Sequence, residues 1–157
     1  MNDILSQIKL RKMHEHDLPV VSILAMLANP FTTKEKYYKH LVEEFSEFPE
    51  LSYVATINGD VVGYVQAHER AHHKQEALLD DIAVAVEHQR KGIGTLLLNN
   101  EIDILKQKEC KTLSAEVHYK CASAIPFYYE HGFRIVGFDQ DHFGIGHDAI
   151  ILQKDIS

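Results

Sequence analysis

Residues 89–94, Gln-Arg-Lys-Gly-Ile-Gly, most constrain the fold of this chain, because they form a glycine-punctuated turn between two regular segments. The preceding run, residues 82–86, is apolar and strand-like, and the run that begins at Thr95 is amphipathic. A strand–turn–helix order aims the unpaired N–H groups of the helix start at one point, with the positive end of the helix dipole behind them. Gly92 and Gly94 carry no Cβ and let an anion approach the backbone. The sequence therefore predicts a phosphate or pyrophosphate site at this turn.

The turn fits neither of two common phosphate-binding motifs. A P-loop has four residues between its glycines and a Gly-Lys-Ser/Thr end, whereas Gly92 and Gly94 are separated by one residue and followed by Thr95. A dinucleotide-binding fingerprint needs a third glycine at the position that Leu97 occupies here. Both motifs are therefore excluded.

A second informative segment, Ala-Ile-Pro-Phe-Tyr-Tyr-Glu-His-Gly-Phe, occupies residues 124–133. It predicts a short helix, because Ser123 can cap its N-terminus, Pro126 falls in its first turn, and Gly132 can end it. A strand at residues 133–137 is expected to follow.

Together the two segments resemble the GNAT acetyltransferase family. Residues 89–94 match the Gln/Arg-x-x-Gly-x-Gly/Ala turn that holds the pyrophosphate of coenzyme A in that family. Residues 124–133 match its later block, Ala-Ile-x-x-Tyr-x-x-x-Gly-Phe, at the usual spacing, and the resemblance covers residues 78–154. It implies acetyl-CoA as cosubstrate and acetyl transfer to a primary amine of a small molecule or a peptide or protein N-terminus, by direct attack in a ternary complex. The alternative is a catalytically weak or inactive acyl-CoA-binding regulatory module.

The remaining sequence predicts a definite order of elements. Alternating apolar and basic residues predict a strand at 8–13, and the Asn-Gly pair at 58–59 between two apolar runs predicts a hairpin. Asp17 is expected to cap a first helix, and a capping box of Thr32 and Glu35 is expected to open a second. The full order is β-α-α-β-β-β-α-β-α-β-β, which is also the order of the GNAT fold.

This order predicts an α/β domain of the α+β type. Its central sheet is expected to be mixed and mostly antiparallel, with about seven strands and about four helices. A chain of 157 residues suits a single domain, 1–157, with enough core to fold alone.

Composition limits the setting in which the protein works. Hydrophobic residues make up 45% and charged residues 25%, which is ordinary for a globular protein. No apolar run reaches the roughly 18 residues that a membrane span needs, and the N-terminus lacks the features of a secretion signal. Cys110 and Cys121 have neither metal-ligand nor redox spacing. We therefore expect a cytoplasmic protein with no membrane partner.

Charge limits the partners. The formal net charge is −7, and no cluster of Lys and Arg marks a nucleic-acid surface, so no nucleic-acid partner is expected. An acidic field favours a cationic amine as acceptor. The eleven histidines show no metal-ligand spacing, so they are expected to be solvated surface residues, with no metal site. The family resemblance adds a homodimer as an option.

The resemblance also implies the coenzyme contacts. Backbone groups at the end of one strand, at Ile82, Ala83 and Val84, would meet the pantetheine arm. The turn and helix start would hold the pyrophosphate through Gln89, Arg90, Lys91, Gly92, Ile93, Gly94 and Thr95. The side chains of Arg90 and Lys91 either add charge to this site or are solvated.

Acetyl transfer to an amine needs a proton acceptor for the amine and a donor for the leaving thiolate. The resemblance implies Tyr128 as the donor, since a phenol stays protonated at neutral pH; the alternative is a packing aromatic. Local similarity to the ribosomal-protein alanine N-acetyltransferases implies Glu116, on the strand before Tyr128, as the base. The alternative is a glutamate that faces solvent or pairs with a lysine.

Asp80 and Asp81 are alternative bases or binding groups for a cationic substrate. Because side chains alternate along a strand, only one of the two is expected to face the cleft. Cys121 stands where the family usually has Asn and cannot supply an amide donor, so a local coenzyme contact is expected to differ. The acceptor is expected between the first two helices, the strand near 66–68 and a polar tip at 139–147.

Overall fold

The computed structural model describes residues 4–157, which form seven β-strands and four α-helices in the order expected from the sequence. The strands are β1 (Ile8–Lys12), β2 (Ser52–Ile57), β3 (Asp60–Glu69), β4 (Glu76–Val84), β5 (Thr112–His118), β6 (Arg134–Asp139) and β7 (Ala149–Asp155). The helices are α1 (Leu18–Ala28), α2 (Lys34–Glu47), α3 (Ile93–Gln107) and α4 (Ile125–Glu130). Over these residues, no helix combines the length and apolar character needed to cross a bilayer.

The seven strands form one sheet in the order β1-β2-β3-β4-β5-β7-β6. Every neighbouring pair is antiparallel except β4 and β5, so the predicted mixed, mostly antiparallel sheet is confirmed. Val54 and Tyr64 pack under α1 and α2, whereas the adjacent Ala55 and Val65 pack under α3. Side-chain alternation along the strands thus gives the sheet a core on each face.

Two turns follow the sequence prediction. Asn58 (φ 52°) and Gly59 (φ 92°) both adopt the left-handed conformation that a type I′ hairpin requires. Gly132 (φ 85°) ends α4, and its N–H donates to the carbonyl of Tyr129 at 3.1 Å. Gly59 and Gly132 lack a Cβ and so adopt positive φ without strain, and Asn is among the residues that tolerate this conformation best.

Asp17 does not cap α1 as expected. Its carboxylate binds the Arg11 guanidinium through two hydrogen bonds of 2.7 and 2.9 Å and accepts the His14 N–H at 2.8 Å. The pKa of Asp17 is lowered, chiefly by the hydrogen bond from Arg11. Asp17 therefore ties β1 to the segment before α1, and α1 starts without a side-chain cap.

Two further caps differ from the sequence prediction. Thr33, and not Thr32, caps α2, and its hydroxyl accepts the N–H of Lys36 at 3.3 Å. Ser123 does not cap α4, because the chain enters this helix from a 3₁₀ segment, Tyr119–Ala124, and not from an extended residue. A helix that continues a preceding turn leaves no isolated first N–H for a serine to bind.

A β-bulge interrupts the pairing of β3 with β4. Gln66 pairs with Asp81, but the next residue, Ala67, pairs with Leu79. Asp80 is therefore an extra residue in β4. A bulge of this kind bends the strand and changes the direction of the side chains beside it.

The two central strands part beyond the bulge. Their parallel pairing ends at Leu79 and Ala115. After that point β4 continues along β3 as far as Val84, and β5 continues along β7 as far as His118. The sheet consequently opens between β4 and β5.

Candidate active site

A cleft of about 950 Å³ occupies the opening between β4 and β5. Its lining comes from α1, α2, β3, β4, β5, α4 and the connection between β6 and β7. Phe31, Tyr37 and His147, which belong to the segments predicted to frame the acceptor, line this cleft. The amide of Gln66 is instead buried against Ser52 at 3.2 Å.

Asp80 and Asp81 both line the cleft. The expectation that only one of them would do so is wrong. It relied on regular alternation, which the extra residue in β4 interrupts.

Asp81 lies at the centre of a buried hydrogen-bond network. Its Oδ2 accepts the hydroxyls of Tyr37 and Tyr64 and the Asn29 amide, the last at 3.3 Å. Its Oδ1 accepts the N–H of Ile82 at 2.9 Å. Burial nevertheless raises the pKa of Asp81, because these hydrogen bonds offset only part of the lost solvation.

Asp80 belongs to a separate cluster with His68 and Glu44. The His68 Nδ1 lies 2.8 and 2.9 Å from the two Asp80 oxygens and 3.3 Å from Glu44 Oε2. The hydrogen bonds to Asp80, together with the charge of Glu44 at 3.3 Å, raise the pKa of His68 to about 10, and burial raises the pKa of Asp80 to about 6. At neutral pH the cluster therefore holds two carboxylates and one imidazolium.

The same region contains a group of side chains that could hold a metal ion. His40, Glu44 and Asp80 each offer one ligand atom, and these atoms lie within 4.8 Å of one another. Imidazole and carboxylate ligands together suit several divalent metals. His40 and Glu44 lie four residues apart on α2, but Asp80 comes from β4, so spacing along the chain could not indicate the full group. The imidazolium of His68 already partly neutralises the two carboxylates.

Glu116 is the first residue of β5 beyond its last pair with β4. Arg70 donates to Glu116 Oε1 at 2.7 Å, and His142 Nε2 lies 2.7 Å from Oε2. The partners of Glu116 are thus an arginine and a histidine. The alternative of a glutamate that faces solvent or pairs with a lysine does not hold. His142 Nδ1 in turn contacts Asp139 Oδ2 at 2.7 Å, at the protein surface. Burial lowers the pKa of His142, but Asp139 and Glu116 together raise it above its ordinary value.

Tyr128 lines the cleft from α4, with 8% of its surface exposed. Its ring packs edge-on against Phe127 and Phe133, with centroids 5.6 and 5.2 Å away. Within residues 4–157 no hydrogen-bond partner binds its hydroxyl. Burial, followed by the charge of Asp81, raises the pKa of Tyr128, so the phenol keeps its proton at neutral pH. The ring therefore packs as a core aromatic, and the hydroxyl remains available as a donor.

The predicted anion site has the backbone geometry of a helix start. Gly92 (φ 84°) is the N-cap of α3, and the first N–H bonded within this helix is that of Leu96, which donates to Gly92 at 3.1 Å. The N–H groups just before Leu96 have no carbonyl within the helix to bind. Arg90 is exposed, and its guanidinium forms no ion pair with the described residues. A cradle of N–H groups beside a guanidinium fits a diphosphate.

Other side chains of this turn bind within the protein. Gln89 donates to the carbonyl of Val84 at 2.9 Å, and the Lys91 ammonium donates to the carbonyl of Glu87 at 2.7 Å. Ile93 is buried in the core, so only its backbone can face a ligand. Gln89 and Lys91 therefore shape the turn.

The two sequence motifs are in direct contact. A Cβ on Gly94 would lie 3.3 Å from the ring of Phe127, so this glycine allows α4 to approach α3 closely. The Thr95 hydroxyl lies 2.9 Å from His131 Nε2, and His131 Nδ1 lies 2.7 Å from the carbonyl of Phe127. These contacts link the start of α3 to the helix that carries Tyr128.

The strand segment expected to meet the pantetheine arm lies beyond the last pair of β4 with β5. The N–H of Ile82 is already bonded to Asp81, and the carbonyl of Val84 to Gln89. The side chain of Ala83 packs under α1 and α2. Some of the backbone hydrogen-bonding groups of this strand edge are therefore already bonded within the protein.

Several histidines line the cleft, and the expectation of solvated surface histidines is wrong for those that are buried or half-buried there, such as His68 and His118. His118 is buried and stacks on Phe31, with ring centroids 3.7 Å apart. Its Nδ1 accepts the N–H of Lys120 at 3.1 Å, so the neutral ring donates from Nε2 to His147 Nδ1 at 2.9 Å. Burial lowers the pKa of His118. The histidines of the cleft are His40, His68, His118, His142 and His147.

Cys121, which stands where the family usually has asparagine, also lines the cleft. Its thiol donates to the carbonyl of Ala28, at the end of α1, over 3.6 Å. Burial raises the pKa of this thiol. Cys121 is therefore a protonated, half-buried group.

Comparison with known proteins agrees with this architecture. The acetyltransferase (GNAT) family profile matches residues 17–133. Over 144 residues the chain is 30% identical to the ribosomal protein bS18-alanine N-acetyltransferase of Escherichia coli, which covers 90% of this chain and 93% of that protein. It is 29% identical over 135 residues to an N-alpha-acetyltransferase of Sulfurisphaera tokodaii, covering 79% and 81%.

Solved structures give the same result. The crystal structure of the ribosomal-protein-S18-alanine N-acetyltransferase from Escherichia coli superposes with a TM-score of 0.75 at 27% identity, covering 96% of this chain and 94% of that one. The PaiA N-acetyltransferase from Thermoplasma acidophilum, solved in complex with coenzyme A, has a TM-score of 0.72 at 23% identity, covering 94% and 98%. On the family match, the sequence relatives and the shared architecture, this chain belongs to the GNAT acetyltransferase family.

Proposed function

We propose that this protein is an acetyl-CoA-dependent N-acetyltransferase that acetylates a cationic primary amine by direct attack in a ternary complex. The observation that carries the proposal is the cleft at the parting of β4 and β5, which is lined by Tyr128, Glu116 and two aspartates. The anion cradle at the start of α3 adjoins the helix that bears Tyr128. Family membership and the N-acetyltransferase relatives support the reaction class.

We assign coenzyme binding to the cradle and to the β4 edge. The N–H groups of residues 92–95 and the guanidinium of Arg90 bind the pyrophosphate, and the edge at residues 82–84 receives the pantetheine arm. The coenzyme-A-bound PaiA structure supports this assignment at the level of the fold. The bound coenzyme supplies the acetyl group as a thioester.

Glu116 and Tyr128 divide the proton transfers. The acceptor arrives as an ammonium ion, and Glu116 accepts one of its protons, which leaves a nitrogen lone pair free to attack the thioester carbon. A C–N bond forms and the C–S bond breaks. Tyr128, which stays protonated because its pKa is raised, donates its hydroxyl proton to the leaving sulfur, and the second proton that the nitrogen loses as the amide forms restores the phenol.

A route for the released proton starts at Glu116. Arg70 donates to one oxygen of Glu116 at 2.7 Å, and a proton taken from the amine has to leave before the next turnover. His142 connects Glu116 to Asp139, whose side chain is 58% exposed. The proton can therefore leave through His142 to solvent.

Asp80 and Asp81 attract the cationic acceptor. Both carboxylates lie in the cleft on the strand opposite Glu116, in a chain that is acidic overall. Negative charge in a cleft with low-dielectric walls concentrates cations there. The two aspartates therefore act in binding, with Asp80 as the second candidate for the base because burial raises its pKa to about 6.

The proposal is tested by measuring thiol release from acetyl-CoA across polyamines, amino acids, aminoglycosides and peptide N-termini, together with a thermal-shift titration of coenzyme A. We expect coenzyme A to stabilise the protein and at least one class of amine to be acetylated. Absence of both stabilisation and turnover would remove the proposal. Tight coenzyme binding without turnover in any class would select the alternative, a regulatory module.

A further inference from the structure

Glu44 has the least satisfied carboxylate of the cleft. Its Oε2 is buried and has no hydrogen-bond partner among residues 4–157. The nearest cationic nitrogen is His68 Nδ1, at 3.3 Å. That nitrogen carries one hydrogen, which it already shares with the two oxygens of Asp80 at 2.8 and 2.9 Å. One N–H therefore serves two carboxylates, and the site lacks donors.

We propose that Glu44 and Asp80 form a subsite for a second cationic group of the acceptor, so that the preferred acceptor carries two ammonium groups. This inference rests on the proposed acetyl transfer and specifies its acceptor. An ammonium group has three N–H donors in a compact head, so it can bind Glu44 Oε2 and an Asp80 oxygen together. A buried acceptor that lacks a donor is costly, and such a ligand removes that cost.

The strand register places this subsite next to the proposed base. Asp80 on β4 and Glu116 on β5 are each the first residue after the last pair of their strands, Leu79 and Ala115. The two acidic groups therefore flank the start of the same opening. One extended acceptor can place its reacting amine at Glu116 and its second ammonium at Asp80 and Glu44.

His68 holds the place of the second ammonium when no acceptor is bound. Its imidazolium partly neutralises the two carboxylates, and its ring is held by stacking on Phe48, with centroids 5.3 Å apart. A bound ammonium would supply the N–H donors that the single Nδ1–H of His68 cannot give to both carboxylates.

Two matched acceptor pairs test the inference. Cadaverine is compared with pentylamine, and the dipeptide amide Ala-Lys with Ala-norleucine, so that each pair differs in one ammonium group. We expect kcat/KM to favour the dicationic member of at least one pair by about ten-fold, which corresponds to about 1.4 kcal/mol. The first pair tests whether the acceptor is a small diamine. The second pair tests whether it is a peptide with a lysine next to its N-terminus.

The variant Glu44→Gln identifies the residue responsible. It keeps the shape of the side chain and removes its charge. The preference in kcat/KM for the dicationic acceptor should therefore fall below about three-fold. Glu43→Gln is the matched control, because Glu43 is the neighbouring residue of α2 and its side chain is 60% exposed. The control should keep the full preference.

The outcomes separate this inference from the proposed function. Equal kcat/KM within both pairs, or a preference that survives Glu44→Gln, would overturn the subsite while acetyl transfer stands. Loss of activity on chelation, with stoichiometric Zn²⁺ binding that Glu44→Gln abolishes, would overturn it in favour of a metal site. No turnover and no coenzyme A binding would defeat the proposed function. If Glu44→Gln fails to fold, the preferences of the unaltered protein decide.

Discussion

At the scale of single residues, the carboxylates of the cleft differ because their surroundings differ. Asp81 is enclosed by hydroxyl donors, Asp80 binds an imidazolium, and Glu116 binds a guanidinium. Burial raises the pKa of both aspartates. In the proposed mechanism the aspartates bind the acceptor and Glu116 accepts its proton.

Tyr128→Phe should lower kcat by about ten-fold or more, because the leaving sulfur loses its donor while the ring still packs. Steady-state kinetics and coenzyme A titration measure the effect, and the dissociation constant of coenzyme A should change by less than about two-fold. Tyr129→Phe is the control, since Tyr129 is exposed and should keep full activity. An undiminished kcat in Tyr128→Phe would remove Tyr128 from the donor role.

Glu101 in α3 makes stability depend on pH. It is fully buried, neither of its oxygens has a partner among the described residues, and burial raises its pKa from 4.5 to about 9. The folded state therefore holds a proton that the unfolded state releases. Because the folded pKa is the higher one, Glu101 lowers the free energy of unfolding least below pH 4.5. The free energy of unfolding should then fall as the pH rises towards about 9.

Glu101→Met should raise the free energy of unfolding at pH 8 by about 1–3 kcal/mol, because it removes a buried group without partners. It should also flatten the decline in stability between about pH 5 and 9. Urea unfolding across this range measures both effects. Asp103→Asn, at an exposed position of the same helix, should leave the pH profile intact. A Glu101→Met profile that still declines would assign the pH dependence to another group.

At the scale of elements, local signals were sufficient for most helices and strands and insufficient for their ends. The Asn-Gly turn and Gly132 were predictable because each needs only its own backbone conformation. The cap of α2 was misplaced by one residue, since Thr32 and Thr33 are equally good caps in sequence. The bulge at Asp80 was not predictable, because it depends on how β4 aligns with another strand.

Gly92→Ala tests the start of α3 as an anion site. A residue with a Cβ at φ 84° should destabilise the fold by about 1–2 kcal/mol. It should also weaken coenzyme A binding, because the N–H groups no longer converge. Thermal unfolding and coenzyme A titration are the measurements. Gly137→Ala is the control, since its Cβ would meet only an ordinary contact at 4.0 Å. Unchanged coenzyme affinity in Gly92→Ala would argue against the cradle.

His142→Gln tests the connection between β6 and β7 as a proton route. A glutamine can still contact Glu116 but cannot carry a proton, so kcat should fall by about three- to ten-fold. Added imidazole should restore part of the rate, and the KM for acetyl-CoA should stay constant. His72→Gln, at an exposed turn outside the cleft, is the control. A kcat that neither falls nor responds to imidazole would rule out the route.

At the scale of the whole molecule, net charge and the cleft act together. The chain carries a formal net charge of −7, and the cleft contains Glu44, Asp80, Asp81 and Glu116. A field of this sign speeds the approach of a cationic acceptor.

The field predicts a dependence on salt. At saturating acetyl-CoA, raising NaCl from about 50 mM to about 500 mM should lower kcat/KM for a cationic acceptor several-fold, since salt screens long-range attraction. The change should lie in KM, with kcat nearly constant. Initial rates over a salt series measure it. A flat profile would show that the field does not steer the acceptor.

The family and the fold were predictable from the sequence because both depend on short motifs and on element order. Most of the cleft was not, since its contacts join distant parts of the chain. Arg70 and Glu116 are 46 positions apart, and His118 and His147 are 29 positions apart. No periodicity reports such pairs, so histidines that form the cleft resembled surface residues in the sequence.

The extra residue in β4 has a consequence for how such proteins diversify. Removing one amino acid at position 80 would restore regular pairing and leave a single aspartate in this part of β4. A one-codon deletion could thereby change the acceptor while every remaining ligand-facing side chain keeps its identity. Two such proteins would then differ in the amine they prefer because one strand is a residue shorter. A comparison of residue identities at aligned positions would not reveal this difference.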